Sequence, residues 1–430
     1  MSPFAHFFRP CRSLGLALLI SAVGVSAQET TAPPLSLSAA LQRAVEQNPT
    51  LVAQGYSERA AEALIEQAGV RTNPTLDVSL ENFTGTGALR GVNGLEATVG
   101  VSQVIERGDK RSKRVALAGR DREIAAAAYA VQRAEVLAAT AADYIATHVA
   151  QTRLNLAAAP LDLARETLAA SESRFKAGAA SPAEPARARA ALASAQAEFA
   201  RAQASLANAR AALAANWGGD AGEVGDLADA LALPETLPTE ESLLAKLSRH
   251  PRIEYQQAII ASRRAALDLE RAQATQDVTA SGGVRFLREG SDAAFVAGVS
   301  IPLPVRNQNQ GNIRAARATL AGAEQSVRAV EVELRVALGA AWRDLQVAHI
   351  AAKNLRGDAL PATEEAHASV RRAYEAGQLP LIDVLDAQRE LAAIRREILE
   401  AEADCFNALI RAQALTDPAF TSITPLFSSP

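Results

Sequence analysis

The sequence has few aromatic residues, methionines or cysteines. Of its 430 residues, 4% are aromatic, one is methionine and two are cysteine. It also lacks an excess of either charge, because 48 acidic side chains oppose 44 basic ones and the net charge is −4. This balance argues against a nucleic-acid-binding surface. The abundance of alanine, leucine, arginine, glutamate and glutamine favours long helices and coiled coils over a compact α/β enzyme.

The amino-terminal segment has the features of a cleavable export signal. Two arginines precede an apolar run at residues 14–27, and its last three residues, VSA, fit the small-x-small cleavage rule. A membrane anchor is the alternative, but the run is shorter than the roughly 18–20 residues that a spanning helix needs. We therefore expect residues 1–27 to be removed and the mature chain to be exported.

The same cleavage decides what the cysteines can do. Cys11 leaves with the signal, so Cys405 is alone and an intrachain disulfide is excluded. No cysteine stands directly after the apolar run, as a lipoprotein would need, and we expect no lipid anchor. No later segment resembles a transmembrane helix, so a chain of this kind enters a membrane only as strands.

The chain repeats itself once. LQRAVEQNP, which begins at Leu41, matches LLAKLSRHP, which begins at Leu243, and FKAG ending at Gly178 matches YEAG ending at Gly377. The offsets of 202 and 199 residues indicate a duplication rather than a short-period solenoid. The predicted organisation is a signal peptide at 1–27, a first repeat at 28–217, a connector at 218–238, a second repeat at 239–415 and a tail at 416–430.

Each repeat opens with a predicted helix, at 37–71 and at 239–274, and continues with strand periodicity. Apolar and polar residues alternate in four stretches, at 75–83, 95–102, 278–286 and 295–303. About ten residues with one apolar face and one polar or small face are typical of outer-membrane β-strands. A soluble sheet with one solvated face is the alternative that this pattern leaves open.

The rest of each repeat has the heptad spacing of long packed helices. Four series of apolar residues recur every seven residues, beginning at Leu117, Leu192, Ile313 and Leu391. Sustained heptads predict left-handed supercoiling against neighbouring helices. A helical span of about 70 residues is about 100 Å long, which predicts a rod. We expect Pro160 and Pro361 to kink or break the helices, and Cys405 to be a small core residue.

Four strands are too few to close a membrane barrel, which needs about eight or more. An open sheet in lipid would leave unpaired backbone groups at its edges, each costing several kcal/mol. If the strands lie in a membrane, several chains must therefore share one barrel. A rod with an exposed heptad face also needs partners along its length, so the pattern predicts an exported oligomer that forms a conduit.

Three segments carry a resemblance to a known family. RFKAGAASPAEPARARAAL at 174–192 and AYEAGQLPLIDVLDAQREL at 373–391 resemble the two periplasmic-tip motifs of the TolC family of outer-membrane efflux proteins. IPLPVRNQNQGNI at 301–313 is similar to the strand-to-helix passage of its heavy-metal branch, the CzcC-like proteins. The resemblance covers nearly the whole mature chain.

The resemblance implies a mainly α-helical fold with a membrane β-barrel portion. Three copies would form a homotrimer with a shared 12-stranded barrel, to which each chain contributes four strands. A long α-helical coiled-coil barrel would continue from it. The protein would lie in the outer membrane of a Gram-negative bacterium and extend into the periplasm, with connector and tail in an equatorial belt.

The resemblance also implies a function. The chain would be the channel component of a tripartite, RND-type efflux system and would passively export heavy-metal cations. Its partners would be outer-membrane lipid, a periplasmic adaptor (a membrane fusion protein) and an inner-membrane RND pump. A channel for drugs or secreted proteins shares the fold and is one alternative. The other, from a different class, is a soluble periplasmic coiled-coil scaffold.

A gate at the tips follows from the same resemblance. Tyr374 aligns with the gate tyrosine of the family, and Glu184 takes the place of the gate aspartate. The gate arginine of the family is replaced by Leu379, which puts the ionic part of the latch in doubt. Arg372 and Arg174 are the side chains that could substitute for it.

Asp383 and Asp386 align with the two aspartates that ring the aperture in the family. Three copies of the pair around one axis would repel each other, raise some of their own pKa values and attract cations. The alternative is structural, because Pro380 opens a helix and acids are favoured in a first helical turn.

Each tip contains a glycine followed a few residues later by a proline, residues that are typical of a turn between two helices. Gly178 and Gly377 are predicted to adopt left-handed conformations that end the descending helices, with Pro182 and Pro380 starting the return. The resemblance implies that these tips contact the adaptor, through Gly178, Ala179, Gly377, Gln378, Leu379 and Pro380.

No motif of an enzyme or a cofactor site is present in the sequence. The histidines form no pair at the three- or four-residue spacing of a helical metal site. HExxH, GxxxxGK[ST] and a Ser-His-Asp grouping are absent as well. The sequence therefore predicts no enzymatic activity, no cofactor, no bound metal and no nucleic-acid partner.

Overall fold

A computed structural model describes residues 34–420 and 427–428. The export signal predicted at 1–27 and most of the tail lie outside the described residues. Among the helices of the described ranges, none combines the length and the apolarity needed to cross a membrane.

The first half contains two opening helices, two strands and two long helices. These are α1 (Leu37–Gln47), α2 (Pro49–Gly69), β1 (Thr75–Glu81), β2 (Glu96–Ile105), α3 (Lys110–Lys176) and α4 (Ala183–Ala215). The prediction of one helix at 37–71 is wrong, because Asn48 interrupts it. Asn48 is extended, as a residue before proline prefers, and its side chain caps α2 by accepting the backbone N–H groups of Thr50 and Leu51.

The second half repeats this order after the connector. Its elements are β3 (Ala230–Leu231), α5 (Glu240–Leu244), α6 (Pro251–Gln273), β4 (Val278–Leu287), β5 (Asp292–Ser300), α7 (Gln310–Asn354), α8 (Leu360–Glu375), α9 (Leu381–Thr416) and β6 (Phe427–Ser428). The helix predicted at 239–274 is interrupted at His250, again before a proline. The strand predicted to reach residue 303 ends at Ser300, because Pro302 and Pro304 have no N–H to donate to a ladder.

The two prolines of the long helices behave differently. α3 continues through Pro160 without a break, so the expected interruption there is wrong. Packing of α3 against α4 and α9 outweighs the one hydrogen bond that proline removes. Pro361 lies in the first turn of α8, directly after a π-helical segment at Leu355–Ala359. A π-turn accommodates one additional residue in a helix.

The four long strands form one antiparallel sheet in the order β1-β2-β4-β5. Residues directly opposite each other lie on the same face, and the register places Leu76 against Val101, and Val284 against both Val99 and Phe295. One face is therefore apolar across all four strands, with exposed Leu76, Val78, Leu80, Val99, Val101, Val284, Phe286, Phe295 and Val299. The other face is mostly polar or small, with Asp77, Ser79, Glu81, Glu96, Thr98, Ser102, Ser281 and Arg285.

Next to the sheet, the helices follow the order of the strands. α3 packs against α2 and α6, and α6 packs against α7, which gives the order α2-α3-α6-α7. Further along the rod, α3 packs between α4 and α9, and α9 contacts α7 and α8. The four strands and the long paired helices that the sequence predicts are confirmed.

The main hydrophobic core lies where the long helices cross α1 and the connector. It contains Leu137, Tyr144, Leu213, Leu345 and Phe406. Cys405 is fully buried in this cluster, as the heptad predicted, and burial raises the pKa of its thiol to about 11. The connector contacts the tail, since Ala230–Leu231 pairs with Phe427–Ser428.

Candidate functional site

Both hairpin tips are built by the same turn. Gly178 and Gly377 have φ values of 73° and 74°, a left-handed conformation that glycine adopts without a Cβ clash. At the first tip the N–H of Ala179 bonds to the Arg174 carbonyl over 2.9 Å, and the N–H of Gly178 bonds to the Phe175 carbonyl over 3.0 Å. This pair of bonds is the Schellman motif that ends helices.

The second tip repeats the motif at the end of α8. The N–H of Gln378 bonds to the Ala373 carbonyl, and that of Gly377 to the Tyr374 carbonyl, both over 2.9 Å. Pro182 and Pro380 then precede the first residues of α4 and α9. The turn geometry predicted for the two glycines is confirmed, and it leaves both tips exposed to solvent.

One hydrogen bond joins the two tips. The Arg174 guanidinium, on the last turn of α3, donates from Nη1 to the Tyr374 hydroxyl over 2.8 Å. The guanidinium carbon lies 5.6 Å from the centroid of the Tyr374 ring, within the range of a cation–π interaction. The structure thus brings the predicted gate tyrosine against an arginine of the other hairpin.

The remaining residues predicted for the gate do not meet Tyr374. Arg372 bonds along its own helix, to the Ala368 carbonyl and the Ser369 hydroxyl, both over 3.3 Å. Oε2 of Glu184 is buried and has no hydrogen-bond partner among the described residues. Leu379 is half-buried at the tip. In this structure the hydrogen bond to Tyr374 therefore comes from Arg174, and Arg372 has no part in it.

The predicted aperture aspartates lie on the first two turns of α9. Asp386 is three positions after Asp383, a spacing that places both on one face of the helix. Asp386 accepts a hydrogen bond of 2.6 Å from Arg389, three residues further along. For the Asp383 carboxylate, the described residues provide neither a hydrogen bond nor an ion pair, and the side chain is half-buried.

The polar face of the sheet carries an ion cluster that sequence reasoning missed. Arg285 contacts Glu96 over 2.8 Å, Glu81 over 3.3 Å and the Thr98 hydroxyl over 3.0 Å. These residues come from β1, β2 and β4, and only the strand register brings them together. Alternating polarity could have assigned them to one face, but not to one cluster.

Within the described part of the chain, no three His, Cys, Asp or Glu side chains are close enough to hold a metal ion. His250 caps α6 through Nδ1, which accepts the backbone N–H of Arg252 over 3.1 Å. His349 bonds through Nε2 to the Pro234 carbonyl over 2.8 Å and so ties α7 to the connector. The partners of these two histidines are structural.

Comparison with known proteins gives a consistent result. The family model described as outer membrane efflux protein matches residues 40–219 and 245–416, one segment in each half. The cobalt-zinc-cadmium resistance protein CzcC of Cupriavidus metallidurans is 32% identical over 88% of this chain and 88% of its own length. The nickel and cobalt resistance protein CnrC of the same organism is 32% identical over 76% of each chain.

The solved structures agree in fold. A membrane protein from Pseudomonas aeruginosa superposes with a TM-score of 0.75 at 19% identity, covering 88% of this chain and 90% of the other. At that identity the likeness concerns the fold alone. The fold, the family match in both halves and the relatives that match over most of their length together confirm the resemblance carried by the tip segments, and the chain belongs to the outer membrane efflux protein family.

Proposed function

We propose that this chain is the channel component of a tripartite, RND-type efflux system and that three copies form its wall. The proposal depends on the exposed apolar face and the unpaired edges of the sheet. Its apolar face is exposed across all four strands, and Phe295, on the edge strand β5, is 93% exposed. The sheet ends at β1 and β5, so one side of each of these strands lacks a neighbour in the sheet. Lipid against the face and sister chains at the edges would satisfy both features.

The order of the elements supports closure by copies of the same chain. β5 of one copy beside β1 of the next would continue the antiparallel order, and three copies would give a barrel of 12 strands. The helices at the same two edges, α2 and α7, also expose apolar side chains, Val52 and Tyr56 on α2 and Val332 and Val336 on α7. A contact between these helices would bury the four side chains.

The tips would form the periplasmic gate and the adaptor site. The bond between Arg174 and Tyr374 ties the first hairpin to the second and would hold the tips together in the closed state. Asp383 and Asp386 would line the pore just inside this latch. Gly178, Ala179, Gly377, Gln378, Leu379 and Pro380 would contact a periplasmic adaptor, which in turn binds the inner-membrane pump.

Heavy-metal cations are the proposed cargo. The curated relatives are named for resistance to cobalt, zinc, cadmium and nickel, and they match most of this chain. Carboxylates repeated around a narrow axis attract cations and disfavour anions. Energy for transport would come from the pump, so the channel itself needs neither a cofactor nor an enzymatic activity.

A transport assay in a strain that lacks its own channel tests this function. The chain is expressed with a cation pump and its adaptor, and cellular cobalt, zinc and cadmium are measured by mass spectrometry. We expect several-fold lower metal content than in cells with pump and adaptor alone. Unchanged metal content together with increased efflux of an organic dye would contradict the proposed cargo. Release of the folded chain by osmotic shock would contradict the channel.

A further inference from the structure

Two short segments of this acidic chain, both next to the sheet, carry a net positive charge. Residues 106–114 carry five basic and two acidic side chains, a net charge of +3. Residues 301–320 carry three arginines and no acidic residue, again a net charge of +3. The whole chain has a net charge of −4, so these two segments differ in sign from the rest. We call them together the basic belt.

Both segments of the basic belt lie at the same end of the sheet. The first leads from β2 into α3 and the second from β5 into α7, at the end opposite the two hairpin loops. The apolar face continues directly into the belt. Ile105, the last residue of β2, is 51% exposed, and beyond β5 the alternation continues through exposed Ile301, Leu303 and Val305.

Several cations of the belt are not neutralised within the chain. Arg114 is paired with Glu106, and Lys110 is paired with Asp277 over 2.7 Å. For the side chains of Arg107, Arg111, Arg306 and Arg317, the described residues provide no ion pair, and all four are exposed. Arg107 and Arg111 line an open concavity that also contains Arg71 and Ile105.

We propose that the basic belt binds the headgroups of anionic phospholipids in the periplasm-facing leaflet. This rests on the proposed function, in which the apolar face of the sheet lies in lipid. Unpaired guanidinium groups at the boundary of such a face would meet lipid phosphates, with which they form charge-assisted hydrogen bonds. Leu303 and Val305 would enter the acyl boundary beside them. The belt would thereby fix the depth of the sheet in the membrane.

The test uses the full mature chain in detergent, titrated with fluorescent phosphatidylglycerol and, separately, with fluorescent phosphatidylcholine. The belt variants are Arg107→Gln/Arg111→Gln and Arg306→Gln/Arg317→Gln. The matched control is Arg187→Gln/Arg396→Gln, which removes the same charge from exposed arginines on α4 and α9. Thermal melting verifies that all variants fold.

We expect the unaltered chain to prefer phosphatidylglycerol. Each neutralised cation should weaken that binding by about fivefold, whereas the control variant should bind like the unaltered chain. Glycerol phosphate without acyl chains should compete poorly, because the apolar side chains contribute to binding. The preference for phosphatidylglycerol should also weaken at high salt, because at 1 M salt the interaction between charges more than about 3 Å apart is largely screened.

Two outcomes would overturn the proposal. One is equal phosphatidylglycerol binding by the belt variants and the control. The other is a belt variant that keeps its lipid preference but dissociates into monomers, which would show that a neighbouring copy covers the belt. If the proposed channel function is wrong, the result is different, because a chain that is not a membrane channel would insert into neither neutral nor anionic vesicles.

Discussion

Arg174 and Tyr374, 200 residues apart, are joined by a 2.8 Å hydrogen bond between the guanidinium Nη1 and the phenolic oxygen. The guanidinium also lies over the tyrosine ring, with its carbon 5.6 Å from the centroid. One bond thus links the last turn of α3 to the last turn of α8, at the ends of the two hairpins. Because both side chains are at the surface, the bond contributes about 1 kcal/mol or less, and the proposed adaptor would need to supply no more than this to break it.

Removing the Tyr374 hydroxyl tests this latch. Tyr374→Phe keeps the ring under the guanidinium but leaves no acceptor for Arg174, so we expect more frequent channel opening in planar bilayers and little change in thermal stability. Arg174→Gln should act in the same direction and more strongly, because it also removes the cation–π contact. Arg372→Gln is the control, since Arg372 bonds only within its own helix. An unaltered closed state in both latch variants would contradict the assignment.

The two aspartates of α9 should determine how divalent cations affect the pore. We expect Asp383→Ala/Asp386→Ala to abolish block by divalent cations in planar bilayers, because six carboxylates would be lost from the trimer axis. Exposed acids elsewhere on the rod supply a control of equal charge, Glu331→Ala/Glu365→Ala on α7 and α8. Block that persists in the aspartate variant would assign these acids to helix initiation alone.

The left-handed glycine of the second tip should be intolerant of a side chain. Gly377 has φ of 74°, which costs a residue with a Cβ about 1–2 kcal/mol. Gly377→Val should therefore distort the tip and reduce metal efflux, while the amount of assembled trimer stays unchanged. Gly322→Val is the matched control, since Gly322 lies inside α7 with nothing near the position of its Cβ. Full efflux by the Gly377 variant would refute adaptor docking at this tip.

Lysine substitutions at two adjacent residues of β5 should have different effects on membrane insertion. Phe295 belongs to the apolar face of the sheet and Ala294 to the polar face, as their register against Val284 and Arg285 requires. Phe295→Lys should disfavour membrane insertion by about 2–4 kcal/mol, whereas Ala294→Lys should insert normally. The measurement is the fraction of chain recovered in the outer membrane. Equal recovery of both variants would indicate that the apolar face does not contact lipid.

Glu402 should make the rod less stable as pH rises. Burial raises its pKa above the ordinary 4.5, and the ion pair with Arg356 over 2.7 Å only partly opposes this effect. The native state therefore binds the proton more tightly than the unfolded state, and unfolding free energy falls as pH rises from 4.5 through the raised pKa. We expect Glu402→Gln to melt at a higher temperature than the unaltered chain at neutral pH, with the difference vanishing below pH 4.5.

Glu400→Gln is the control for this effect, because Glu400 is exposed and pairs with Arg153 at the surface. Its melting temperature should follow that of the unaltered chain at every pH. A Glu402→Gln variant that melts lower at neutral pH would show that the ion pair with Arg356 outweighs the cost of burial.

Local patterns predicted the elements that depend on local chemistry. The alternation of Leu76, Val78 and Leu80 predicted β1, and the glycines at 178 and 377 predicted the tip turns, because a strand face and a left-handed turn each follow from a few adjacent residues. The heptad spacing predicted the burial of Cys405, because the spacing of residues along a helix determines which of them share a face.

Features that depend on residues far apart in the sequence were harder to predict from the sequence. The resemblance left two arginines, Arg372 and Arg174, as possible substitutes for the missing gate arginine. The Tyr374 hydroxyl accepts from Arg174, because the relative rotation of two long hairpins decides which side chains meet. The continuity of α3 through Pro160 was also missed, because tertiary packing offset the local cost of proline. The ion cluster around Arg285 required the strand register, which the sequence does not state.

The mass of the detergent-extracted particle tests the central claim most directly. If one chain supplies four strands of a shared barrel, native mass spectrometry of the protein extracted from the outer membrane should give three chains. A folded single chain, stable in detergent and absent from the membrane fraction, would contradict the account.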